Sequence, residues 1–172
     1  MNTNDYLTEI EQFESHYKYD TTYMKELLAS SIDAYEVFAG FLPMARLREK
    51  LSPEVFWVAR LAGVLSEDCG ACLQLNINMA AEAGVDAQII QMAVGGGSEL
   101  PSILRDVFYY AQAISENKIL DPDLKQRIDD QFDKGQRLEL GLCVASAKVF
   151  PTIKRSLGLT QSCSLMSFSF DS

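Results

Sequence analysis

Along most of the chain, apolar residues recur every three or four positions, the period of an amphipathic helix. No stretch sustains the alternation of a half-buried strand. The pattern predicts helices over residues 4–18 and 22–41, the second carrying Leu27, Leu28, Ile32, Tyr35 and Phe38, with Pro43 ending or interrupting that region. Ser52, Pro53 and Glu54 supply an N-cap, a first-turn proline and an acidic complement to the helix dipole. The helix they open is apolar nearly all round through Leu65, which suits a core or an oligomer interface. Asp68 is suited to cap a helix from Cys69 to about Ala83, which Gly84 stops. Asp86 opens a shorter helix to Ala93, ended by Gly95, Gly96 and Gly97. Further helices are predicted from Pro101 to Glu116, over about 122–131 and about 134–149, then in a short segment around Thr152–Leu157 before a Ser-rich tail. The expected fold class is all-α, a compact multi-helix domain over residues 1–172, with no internal repeat and no dividing linker.

Composition narrows the classes of function. Of 172 residues, 48% are hydrophobic and 23% charged, the balance of an ordinary globular protein. The net charge of −9 and the absence of a Lys/Arg cluster argue against a nucleic-acid partner, which requires concentrated positive charge. No apolar run approaches the ~20 residues of a membrane span. The N-terminus lacks the basic start and apolar stretch of a signal peptide, so a cytoplasmic location is expected. The triple glycine is followed by no Lys-Ser/Thr pair and preceded by no strand, so it reads as a helix terminator and not a phosphate loop. Met44, Met79 and Met92 read as core filler, and Phe108, Tyr109 and Tyr110 as packing.

The candidate chemistry is a C-x-x-C pair, Cys69 and Cys72, at a predicted helix start. Positions three apart share a face, so the sulfurs can come within disulfide reach, and the helix N-terminus favours a thiolate. Steps of three and four from Cys69 give Cys72, Leu73, Asn76, Met79, Ala80 and Ala83, an apolar stripe with Asn76 as its one polar member. Three uses remain open: redox or nucleophilic sulfur, a pair of inert buried cysteines, and half of a zinc site. The zinc reading needs ligands that the other two cysteines, Cys143 and Cys163, and the single His16 supply poorly, so no metal is expected. Glu67 and Asp68 flank the pair, and their charge opposes thiolate formation.

The segment LSPEVFWVARLAGVLSEDCGACLQLNINMAAEAGVDAQIIQMAVGG resembles the core of the alkylhydroperoxidase D-like / carboxymuconolactone decarboxylase family, in which an "LSP" helix leads into a C-x-x-C helix and a small-residue stretch ending in Gly. The stretch from Leu100 to Leu159 continues the pattern, so the likeness spans roughly residues 35–160. The resemblance implies an all-α fold that assembles as a homo-oligomer, often a trimer or hexamer. It also implies a cysteine couple that reduces peroxides with a dithiol electron-donor protein, without a bound cofactor. In that branch a Glu twelve residues before the first Cys and a His four after the second relay protons. Here those positions are Trp57 and Asn76, neither of which titrates.

Two other groups are candidate supports. Glu139, on a helix stripe with Leu138, Leu142, Ala145 and Val149, is either a partly buried carboxylate for proton transfer or a structural pairing group. Arg60, three residues after Trp57, either favours a thiolate or carries a surface or interface charge. The leading expectation is a thiol–disulfide oxidoreductase or peroxidase-like protein. The alternatives are a decarboxylase-type enzyme acting on a small acid or lactone, and a catalytically degenerate oligomeric binding protein.

Overall fold

A computed structural model of the chain describes residues 3–160. The Ser-rich tail and Cys163 lie outside them. The described residues form nine helices and no strand. They are α1 (Thr3–Tyr17), α2 (Thr22–Ser30), α3 (Ile32–Arg46), α4 (Pro53–Leu65) and α5 (Gly70–Glu82), then α6 (Ala87–Val94), α7 (Ser102–Ser115), α8 (Pro122–Gln131) and α9 (Lys134–Ser156).

Helix α4 is the axis. Ser52 Oγ accepts the Val55 amide at 3.3 Å and Pro53 occupies the first turn, as its sequence predicts. Every residue from Val55 to Val64 is buried, against α5, α6, α7 and α9. Its all-round apolar surface is therefore consumed inside the chain and does not speak for a partner. Gly63 lets α9 pack closely: a Cβ there would lie 3.1 Å from the Ala147 Cβ. The other stops also match their sequence signals. Gly84 (φ 82°), Gly96 (φ 100°) and Gly97 (φ 78°) adopt the left-handed backbone that ends α5 and α6.

Helices α1–α3 form a second, aromatic-rich cluster that includes Ile10, Tyr19, Tyr23, Tyr35 and Phe38. It packs on Ala71 and Leu75 of α5 and on Phe150 and Ile153 of α9. These helices cap the main core beside the start of α5.

Four features depart from the periodicity. The helix predicted over 22–41 is two helices, because Ser31 adopts an extended backbone and caps α3 through the Ala34 amide. Pro43 sits inside α3, which continues to Arg46. The segments predicted over 134–149 and 152–157 are the single helix α9, with Pro151 inside it. The buried stripe of α9 is Glu139, Leu140, Cys143, Val144, Ser146 and Ala147; Leu138 is 61% exposed, since the α4-facing side lies about one residue round from the predicted stripe.

Candidate functional site

Cys69 is itself the N-cap of α5, in extended conformation, and its side chain makes no capping bond. The N-cap position falls to Cys69 and not to Asp68, which stands one residue earlier in the left-handed region (φ 46°) and turns the chain into the helix. The two sulfurs are joined as a disulfide, with Cα atoms 5.3 Å apart. Cys69 is fully buried, and Cys72 is 3% exposed. The acidic flank is partly offset: Lys148 Nζ stands 3.2 Å from the Glu67 carboxylate, and Arg155 binds both that carboxylate and the Glu67 carbonyl.

Cys72 borders a cavity of about 150 Å³ between α5, the N-terminal helices and α9. Its walls include Phe13, Tyr23, Trp57, Met79 and Phe150, and its polar groups are few. Three sequence candidates meet there: Trp57, Arg60 and Asn76. Asn76 Nδ2 donates to the Cys72 carbonyl at 2.7 Å, and its Oδ1 accepts from Arg60 Nε at 3.1 Å. Arg60 Nη1 donates to the Cys143 carbonyl at 3.2 Å and to Ser146 Oγ. Arg60 is thus an interior charge, 6% exposed, and not a surface one. Burial lowers its pKa, the charged form being the one penalised.

Glu139 is not part of this site. Its carboxylate accepts three consecutive amides at the approach to α4: Glu49 at 3.1 and 3.2 Å, Lys50 at 3.0 Å and Leu51 at 3.3 Å. Of the two roles open to it, the structural one accounts for its burial. His16 is also elsewhere, on the surface 3.2 Å from Glu82. Cys143 is an inert core thiol, pushed up to about 12 mainly by burial. Among the described residues no group of three or more His, Cys, Asp or Glu side chains could hold a metal ion, and no helix is long and apolar enough to cross a membrane.

Two groups at the site escape the sequence reading. The Tyr19 hydroxyl lies 3.9 Å from Cys72 Sγ, and Lys154 Nζ donates to that hydroxyl at 3.3 Å. Lys154 is 2% exposed and stacks over the Tyr19 ring, 4.7 Å from its centroid. Desolvation lowers the Lys154 pKa, opposed by Asp20, and burial holds the Tyr19 phenol up to about 12. An ammonium only donates, so the Tyr19 oxygen accepts from Lys154 and its O–H remains for the sulfur. Lys154 continues the spacing of Ala147 and Pro151 on the buried face of α9, a signal available in the sequence. Tyr19, in the α1–α2 connection, has no such signal.

Packing as small hydrophobes accounts for the burial of both cysteines. It leaves unexplained why two cations and a phenol, each costly to desolvate, gather beside them. Compared with known proteins, the chain matches no family model, no curated protein and no solved structure.

Proposed function

We propose that the protein is a thiol–disulfide oxidoreductase of peroxidase-like type, in which Cys69 and Cys72 cycle between disulfide and dithiol. The observation that carries this reading is the disulfide at the cavity wall, with the Tyr19–Lys154 pair behind Cys72. Cys72 is the attacking residue in this reading because it borders the cavity, whereas Cys69 has no exposed surface.

In the reduced protein, the Tyr19 hydroxyl, polarised by the Lys154 ammonium, donates to the Cys72 sulfur and stabilises the thiolate left when the thiol gives its proton to water. The thiolate attacks a peroxide oxygen; the S–O bond forms as the O–O bond breaks, and the departing alkoxide takes a proton from water. Cys69 sulfur then attacks the sulfenic acid, forming the S–S bond and releasing water. A dithiol protein restores the pair by exchange, giving up two electrons and becoming a disulfide itself. Tyr19 and Lys154 would thus favour the thiolate in a site where Trp57 and Asn76, at the relay positions of the resembled family, offer no titrating group. The homo-oligomer implied by that resemblance belongs to the same proposal, and light scattering tests it.

The decisive experiment measures peroxide consumption by the full chain with a small dithiol as reductant, beside Cys72→Ser and Cys69→Ser. Turnover in the parent that is lost in both variants supports the reading. A parent that consumes no peroxide, with a pair that dithiol reduces and peroxide fails to reoxidise, refutes it.

A further inference from the structure

Among the described residues, no carboxylate neutralises the Arg60 guanidinium. A guanidinium has five N–H donors. Here Nε serves Asn76 and Nη1 serves Cys143 and Ser146, which leaves the two on Nη2 without an acceptor among the described residues. No carboxylate pairs with Arg60 among those residues; its other neighbour is the face of Phe150, 5.7 Å from the guanidinium carbon. An unpaired buried charge is costly, and three neutral acceptors offset only part of that cost. The group borders a cavity whose other walls are mainly aromatic and aliphatic.

We infer that this cavity is a binding site for a small monocarboxylate with an apolar body, its carboxylate on Arg60 and its body against Trp57, Phe150 and Met79. The size sets the body: a cavity of about 150 Å³ accommodates a benzene-sized group. The charge sets the head. The one buried cation on its lining suits a monoanion; the other charged lining residues, Arg46 and Glu9, are exposed and of opposite sign. Charge-assisted N–H···O bonds from Nη2 would complete the guanidinium's set. Cys72 shares the cavity, so a bound acid lies beside the sulfur, but binding itself does not require the redox cycle.

The test uses benzoate as probe on the full chain, read by calorimetry and by the fluorescence of Trp57, the one tryptophan. Benzyl alcohol, of similar shape and no charge, is the comparison. Benzoate is expected to bind at least about tenfold more tightly than the alcohol, the difference a charge-assisted bond supplies. Arg60→Met should abolish that preference while the alcohol still binds, and Arg60→Lys should keep part of it. If Arg60→Met fails to fold, Leu42→Trp, which narrows the cavity from α3, should weaken both ligands together. Binding is measured on the oxidised protein with neither peroxide nor reductant present, so failure of the peroxide assay and failure of binding are distinguishable. Equal affinity for benzoate and benzyl alcohol, or no benzoate binding up to its solubility limit, overturns the inference.

Discussion

The hydroxyl of Tyr19 and the sulfur of Cys72, fifty-three residues apart in sequence, stand 3.9 Å from each other inside the protein. Oxygen belongs to the N-terminal cap and sulfur to the main core, so the contact exists only when the two are docked. Replacing Tyr19 by Phe removes the O–H and keeps the ring. The reduced variant's Cys72 should then be alkylated about tenfold more slowly at neutral pH, the effect of one lost hydrogen bond on thiolate population. Its rate–pH profile should move to higher pH. A profile that superimposes on the parent's would remove Tyr19 from the chemistry.

Lys154→Met separates reactivity from stability. Losing the ammonium behind Tyr19 should slow Cys72 alkylation in the same direction. Filling the site with an apolar chain of similar length should leave stability unchanged or raise it, since a buried charge lacking a close counter-ion is costly. Urea denaturation beside alkylation kinetics measures both.

Glu139→Ala should behave in the opposite way. It strips three amides of their acceptor at the approach to α4 and should lower stability by about 1–3 kcal/mol, with no change in cysteine reactivity. A changed alkylation rate would restore Glu139 to the site.

Gly63→Ala tests the α4–α9 contact. The added methyl would sit 3.1 Å from the Ala147 Cβ, so overpacking by about 1–3 kcal/mol is expected despite alanine's better helix propensity. Pairing it with Ala147→Gly should return much of the loss.

Cys143 predicts an alkaline limit. Its thiol ionises near 9 when unfolded and is pushed up to about 12 in the fold, so above pH 9 the unfolded chain sheds a proton that the native chain keeps. Stability from this group is constant below pH 9 and falls as pH rises toward 12, by on the order of 1 kcal/mol between pH 9 and 10. Cys143→Ala should show a shallower decline over that interval, measured by urea denaturation at each pH.

Local signals in the sequence locate most helix ends, because caps and stops act over one turn: Ser52, Asp86, Gly84 and Gly97 each do what their residue type implies. The break at Ser31 is less legible, since the apolar stripe runs through it and only the cap geometry interrupts the helix. At the site, Cys69, Cys72, Trp57, Arg60 and Asn76 are readable because they lie on two adjacent helices with fixed spacing. Tyr19 arrives from an irregular connection through tertiary packing, which no period records. Glu139 stays open between two roles for a related reason: a carboxylate beside apolar residues looks the same in sequence whether its partners are protons in transit or backbone amides.

The docking of α1–α3 also governs who can reach the disulfide. A protein reductant must place its own sulfur in line with the bond it cleaves, and a fully buried Cys69 beside a nearly buried Cys72 offers no such approach. In the proposed cycle, reduction by anything larger than a cavity-sized thiol would require those helices to move off the site, exposing Tyr19, Tyr23 and Phe38. On the proposed function the N-terminal helices would act as a turnstile: concentrations of urea too low to unfold the core should speed reduction by a bulky dithiol, while leaving that by a small one nearly untouched.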